Sequence, residues 1–348
     1  MLKISHLNIA STPVNNYKTR ITHQKESSMN SISFSGLLQD AKKDAIKMCV
    51  YDLDESLLEG PQVIRDKVME FSKDKNRHLV YASARSVKQV VPLIEKGVLA
   101  MPDYYIGDNG LTIYKKVGNE LKEIEIWSNK LVQGFHKDKI RKFMIDIANE
   151  YNFENPNHVK ESGAYVPVGK EAYAGSKISE YEVFHSPLNI YFMMAPGIFD
   201  KTKARIESKL QSEGVEANVK FQNFAKKTLE PDTLAKYFSP KIASDMLNTA
   251  IPRLNDDGSI DVAIITAKSD KGTAVEFIRK QLNINPNEIF AAGDAENDYS
   301  NTNKGYFFAL LANATEGFKK LVSRLLDKQQ IIKTTKKGVE GIWECLEP

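Results

Sequence analysis

The chain has 348 residues, 42% hydrophobic and 27% charged, the balance of a globular protein long enough for two domains. Its net charge is only +3, with no basic block, which argues against a nucleic-acid partner. The longest apolar run, "YFFALLA" (306–312), is far too short to span a bilayer, and Cys49 and Cys345 show neither metal spacing nor a disulfide framework.

The first 44 residues differ from the rest. "MLKISHLNIASTPVNNYKTRITHQKESSMN" holds one acidic residue, Glu26, and is rich in Ser, Thr and Asn. It lacks the apolar stretch of a secretory signal and reads as a flexible tail. The alternative is a targeting or export segment, so the expected location is the cytoplasm unless the tail directs the chain elsewhere. Both cysteines read as core residues, which suits a reducing compartment.

From Ile46 short apolar runs alternate with amphipathic segments. "IKMCVYDLD" reads as a strand, and "QVIRDKVMEFSKDKN" as a helix with Ile64, Val68 and Phe71 on one face. "HLVYAS" is a second strand and "VKQVVPLIEKGVL" a second helix. "PDYYIGDNGLTIYKK" with "LKEIEIW" reads as a strand and then a hairpin. Between residues 129 and 263 the grammar changes to helices and longer strands, among them "EYEVFHSPLNIYFMMA" and "VEANVKFQNF". The alternation then returns with the helix "KGTAVEFIRKQLNI" and the strands "EIFAAGD" and "GYFFALLANA". Strands alternating with helices predict a parallel sheet covered on both faces, here interrupted by an inserted α+β unit. The expected division is a tail over 1–44, a core over 45–128 and 264–348, and an insertion over 129–263.

Ligands of such a sheet sit beyond the carboxyl ends of its strands. The residues there are Asp52, Asp54 and Ser56, then Ser83 and Arg85, then Asp294, Asn297 and Asp298, with Lys271 opening a helix. Crowded carboxylates repel, and hard oxygen donors in this number suit Mg²⁺, which also binds substrate phosphate. One carboxylate of such a set can attack phosphorus, and another, two residues away, can protonate the leaving oxygen and then activate water. A lysine and a hydroxyl can hold the charge of the transferring group. Calcium loops are excluded: "DLDESLLEGPQV" has Leu57 sixth and Val63 twelfth, and "DAENDYSNTNKG" has Tyr299 and Gly305 there.

"DLDES", "SAR", "DKGTA" and "GDAEND", in this order, resemble the four motifs of the haloacid dehalogenase superfamily of phosphohydrolases. The insertion between the second and third motifs resembles the branch with a large α/β cap, that of the Cof-type and sucrose-phosphate phosphatases. "PDYYIGDNGLTIY", "FALLANAT" and "TTKKGVEGIWECL" are similar to further segments of that branch. The resemblance covers about residues 46–128 and 260–348. It implies an α/β fold with a Rossmann-like parallel-sheet core, helices on both faces and an inserted α+β cap. It also implies that Asp52 is the nucleophile and Asp54 the general acid/base. Lys271 would neutralise charge, and Ser83 and Asn297 would hold phosphate. Mg²⁺ would be held by Asp52, the backbone carbonyl of Asp54, Asp294 and Asp298. Two motifs depart from the usual pattern. Ser83-Ala84-Arg85 stands where Thr-Gly-Arg is common, and Glu55-Ser56 where Gly-Thr is frequent.

Around this set, Arg85 pairs with a carboxylate or reaches substrate. Asn109 with Gly110 makes a hairpin turn or a site rim. The cap candidates for the leaving group are Lys177, Glu182, His185, Asn189 and Tyr191, and alternation puts His185, Asn189 and Tyr191 on one face. The expected activity is Mg²⁺-dependent hydrolysis of a small phosphorylated metabolite, a sugar phosphate, through an aspartyl-phosphate. The alternatives are a phosphomutase of the same superfamily, or an exported effector or binding protein on that scaffold. No nucleic-acid or membrane partner is expected, and no oligomeric state follows.

Overall fold

A computed structural model describes residue 38 and residues 40–74, 77–155, 157–162, 171–173, 175–181, 187–234, 240–325 and 330–347. Helix α1 (Asp40–Ala45) leads into strand β1 (Met48–Tyr51). Helix α2 (Gln62–Lys73), β2 (His78–Ala82), α3 (Val87–Glu95) and β3 (Tyr104–Gly107) follow, then β4 (Thr112–Val117) and β5 (Glu120–Glu123). Helices α4 (Glu125–Phe135), α5 (Lys137–Ala148) and α6 (His158–Glu161) precede β6 (Ile178–Tyr181), β7 (Asn189–Met194), α7 (Phe199–Ser212) and β8 (Ala217–Phe224). Helices α8 (Pro231–Leu234) and α9 (Pro240–Ala250) precede β9 (Ile260–Ala267) and α10 (Lys271–Leu282). The chain closes with β10 (Ile289–Gly293), α11 (Tyr299–Thr302), β11 (Phe307–Leu310), α12 (Glu316–Ser323), β12 (Ile331–Lys333) and α13 (Gly338–Leu346).

Eight strands form one sheet in the order β12-β11-β10-β1-β2-β3-β4-β5. It is parallel from β12 to β3, and β4 and β5 add an antiparallel hairpin. Strand β1 is an unbroken apolar run because both of its faces are covered. Cys49 and Tyr51 pack with Val68 of α2, Val90 of α3 and Val339 of α13. Met48 and Val50 point the other way, into Ala274 and Ile278 of α10 and Phe318 of α12. Helices on both faces of a Rossmann-like parallel sheet match the expected fold class.

The second sheet is antiparallel, in the order β6-β7-β9-β8. One face packs Ile190, Phe192 and Ile265 against Phe143 and Ile147 of α5 and Ile206 of α7. The opposite face meets α8 and α9 through Met193 and Val262. Helix α4 joins the two bodies: Trp127 is buried in the first sheet's core, and Phe135 in the second's.

Three expectations change in detail. "EYEVFHSPLNIYFMMA" is not one strand: β6 and β7 pair antiparallel, Tyr181 opposite Tyr191, so the piece before Pro187 folds back on the piece after it. Strand β9 runs to Ala267 and pairs along its length with β8, so the second sheet extends past residue 263. Leu38 is buried in the first core, and Lys43 donates to the Glu347 carbonyl, so packed chain begins before residue 44. Among the described residues no helix is long and apolar enough to cross a membrane.

Beyond β1 the chain turns sharply through Leu53–Leu57, with Glu55 left-handed at φ 54°. Arg65 of α2 secures this turn, donating from Nε to the Leu57 carbonyl (2.8 Å) and from its guanidinium to the carbonyls of Leu58 (2.7 Å) and Gly60 (3.1 Å). Three carbonyls, that of Leu57 buried, would lose a charged donor together in Arg65→Ala. We expect that substitution to lower the unfolding free energy by about 2–4 kcal/mol, measured by urea titration of the full chain.

Candidate active site

Strand order reverses at β1, whose neighbours are β10 on one side and β2 on the other. A parallel sheet opens a crevice at such a point, beyond the carboxyl ends of its strands. Asp52 ends β1, Ser83 ends β2 and Asp294 ends β10, so all three are delivered to it. Lys271, the first residue of α10, is wholly buried and reaches back across the crevice.

Its Nζ donates to Asp52 Oδ1 at 2.6 Å and to Asp298 Oδ1 at 2.8 Å. The other oxygen of Asp298 accepts from the backbone N–H groups of Asp294 (3.2 Å) and Ala295 (3.3 Å). Gly293 makes room for this arrangement, since a Cβ there would lie 2.3 Å from the Asp298 carboxyl carbon. Ser56 Oγ donates to Asp294 Oδ1 at 2.7 Å.

Three carboxylates thus face one ammonium. Burial pushes Asp52 up to about 8, the Asp298 charge adds to the rise, and Lys271 opposes it. Asp294 is pushed up to about 6, again chiefly by burial, with the Ser56 bond opposing and the Asp298 charge adding. Burial works against the Lys271 charge, yet Asp298 and Asp52 together outweigh it and raise that pKa. Asp52 stays raised despite its pairing, because one lysine cannot balance burial and two neighbouring carboxylates. The site is short of positive charge.

That shortage and the donor chemistry both fit a metal. Ligand oxygens of Asp52, Asp294 and Asp298 lie within 4.8 Å of one another and all three residues are buried. Three hard oxygen donors in that span can hold a divalent cation. The Asp54 carboxylate is not in this group. It is half-exposed and engaged by Arg85, whose Nε lies 2.9 Å from Oδ2 and whose NH2 lies 2.5 Å from Oδ1. The carboxylate partner weighed for Arg85 is therefore Asp54.

Ser83 is fully buried, and its Oγ accepts from the Arg85 backbone N–H at 3.1 Å. Asn297 Nδ2 donates to Asn109 Oδ1 at 2.9 Å, while Asn297 Oδ1 is buried without a partner among the described residues. Asn109 is thus on the rim as well as in the turn. That turn is tight: Asp108, Asn109 and Gly110 have φ of 52°, 57° and 97°. Only glycine fits at 110, where a Cβ would stand 2.2 Å from the Asp270 carbonyl oxygen. Trp127 and Ser269 both donate to the Gly110 carbonyl, which ties the turn to the chain entering and leaving the second sheet.

A cavity of about 680 Å³ opens beside these residues, between the two sheets. Ala84, Asp108, Asn109 and Asn297 border it from the first body, and Asn189 and Tyr191 from the second. Asp298 and Lys271 are next in chain to residues of this lining, Asn297 and Asp270, while Asp52 and Asp294 do not border it. Of the candidates on the insertion, Asn189 and Tyr191 face the cavity, Lys177 does not line it, and Glu182 and His185 lie outside the described residues. The sequence reading missed Asn218, Lys220 and Thr266, which share the cavity wall. Ser56, collected with the strand-end residues but given no role, now has one at Asp294.

A family model of haloacid dehalogenase-like hydrolases matches residues 49–331. The chain belongs to the haloacid dehalogenase-like hydrolases. It is 22% identical over 287 residues to kanosamine-6-phosphate phosphatase of Bacillus subtilis, covering 80% of this chain and 83% of that one. Its fold is similar to that of the sucrose-phosphatase of Synechocystis sp. PCC6803, with a TM-score of 0.55, 17% identity and 85% and 95% of the two chains covered. A haloacid dehalogenase-like hydrolase of Bacillus subtilis superposes at 0.53 with 18% identity, covering 90% and 95%. These hydrolases share the two-body architecture described above.

Asp108 supplies a pH test of the rim. Burial pushes its carboxyl up to about 6, against the bond from Thr112, with Glu123 adding to the rise. Its folded value exceeds the unfolded one, so its stabilising contribution is complete below pH 3.8 and lost as the pH rises through about 6. Asn tolerates the left-handed backbone and keeps an acceptor for Thr112. Asp108→Asn should therefore gain on the wild type between pH 4 and 7, by about 1–2 kcal/mol after allowance for its partial exposure. Paired urea titrations at the two pH values check this.

Proposed function

We propose that this hydrolase is a Mg²⁺-dependent phosphatase of a small phosphorylated metabolite, with sugar phosphates as the substrate class. The observation that carries the reading is the buried Lys271 held between Asp52 and Asp298, with Asp294 beside them. The kanosamine-6-phosphate phosphatase and sucrose-phosphatase relatives support the substrate class. The core is taken as the parallel sheet with its helices, and the insertion as a cap built on the antiparallel sheet, which runs to Ala267, with α4 and residues 268–270 as its connections.

In this mechanism Asp52 attacks phosphorus and the bond to the leaving oxygen breaks, which leaves an aspartyl-phosphate. Asp54 protonates the departing alkoxide, then takes a proton from the water that hydrolyses the intermediate. For this Asp54 must leave Arg85 and turn toward Asp52, and the exposure of the pair keeps that exchange cheap. Ser83 and Asn297 hold phosphate oxygens, and Lys271 offsets the charge shared by nucleophile and phosphoryl group. Asp52, Asp294, Asp298 and the Asp54 carbonyl would hold Mg²⁺, which neutralises the carboxylates and polarises the phosphate. Asp52 must be ionised to attack phosphorus, and a cation held beside it would favour that form.

The test is phosphate release from a panel of phosphorylated sugars, with and without Mg²⁺. We expect turnover that EDTA abolishes and added Mg²⁺ restores. Asp52→Asn should reduce kcat by at least about 1,000-fold. Lys271→Met should reduce it strongly too and also destabilise the fold by about 3–5 kcal/mol, because it strands buried carboxylates. Metal-independent turnover, or full activity of Asp52→Asn, would overturn the reading.

A further inference from the structure

Strands β8 and β9 are antiparallel neighbours with Phe224 opposite Ile260. A two-residue turn can join such a pair. Here residues 225–259 intervene instead and carry α8 and α9. The described residues of this segment, α8 and α9 among them, lie over the face of the second sheet that looks onto the cavity. Leu229, Leu234, Met246 and Ala250 pack there on Met193, Ile260 and Val262.

The register of the sheet divides that face. Asn189, Thr266 and Asn218 are paired in one row across β7, β9 and β8, at the end next to the core. Asn218 Nδ2 reaches the Ser269 carbonyl at 3.2 Å, close to the turn at Gly110. Asn189 is buried, and its Oδ1 has no donor among the described residues. The next row holds Tyr191, Ile264 and Lys220, and beyond it the cavity is walled by Leu229, Leu234, Met246 and Phe224. Lys220 and Gln222 stand along the edge strand and keep that rim polar. Polarity therefore falls with distance from the phosphate end.

Resting on the phosphatase reading above, we infer that the substrate is a phosphate ester whose alcohol carries hydroxyls beside the ester and an apolar group beyond them. Asn189 accepts from a hydroxyl of the near part, and Leu229, Leu234 and Met246 supply the wall for the apolar part. A bare hexose phosphate leaves that wall without a partner, whereas a glycoside phosphate with an aromatic aglycone covers it. Apolar pockets of this kind discriminate by burying surface that a smaller substrate lacks.

The experiment compares glucose 6-phosphate and mannose 6-phosphate with their phenyl glycosides, using the full chain and Mg²⁺. We expect kcat/KM to be at least about 10-fold higher for the phenyl glycosides, through KM. Met246→Gln should bring that ratio toward one, and Met246→Leu should retain it. Hydrolysis of bare and substituted sugars with equal kcat/KM overturns the inference and leaves the phosphatase standing. A wild-type preference that Met246→Gln does not alter overturns the role of the wall. No phosphate release from any of the four by folded protein overturns the phosphatase reading, and this inference with it.

Discussion

Everything at the crevice depends on an imbalance of buried charge. One ammonium, with no solvent around it, faces three carboxylates. Burying charge is costly unless it is compensated, and here the protein supplies only part of the compensation. On the reading proposed above, a divalent cation would supply the remainder. The same geometry that would be a defect in a structural core becomes a means of selecting a ligand.

The scaffold holds that imbalance in place by backbone means. Asp52 and Asp294 leave the ends of adjacent central strands, so their separation follows from strand spacing. Asp298 is fixed by two backbone N–H groups and by the missing side chain of Gly293. Lys271 starts a helix whose Ala274 and Ile278 are locked in the sheet's core. None of these carboxylates depends on another mobile side chain for its placement. Asp54 differs, being half-exposed and held by a single exposed guanidinium. In the proposed mechanism, the group that would move protons is the one left able to move.

Much of this was legible in the sequence, for physical reasons. Strands such as "MCVY" and "IFAAG" are apolar throughout because both faces are covered, so their ends, and the acids that follow, stand out. Lys271 was legible from its place at the start of a helix between two such strands. The insertion was harder. Its sheet has one face on α5 and α7 and the other shared between α8, α9 and a cavity lined by mixed residues, which blurs the alternation. Asn189 and Tyr191 fell on one face as period two requires, but "EYEVFHSPLNIYF" concealed two antiparallel strands, β6 and β7. Asn218, Lys220 and Thr266 could not be found from their own strands, because only cross-strand register shows that they join the same wall. The Asp54–Arg85 pair joins residues 31 positions apart, and sequence could offer it only as one of two options.

Helix α4 carries a consequence for how the molecule melts. Its first turn is anchored by Trp127 in one core and its end by Phe135 in the other. Trp127 also donates to the Gly110 carbonyl, in the turn that touches the chain returning from β9. The two bodies are not beads on a string. Fraying of the antiparallel sheet would pull Phe135 out of its core, loosen the helix, and so withdraw an indole from beneath the parallel sheet. Heat should therefore dissolve both cores in a single cooperative transition, with one calorimetric peak whose enthalpy belongs to the pair.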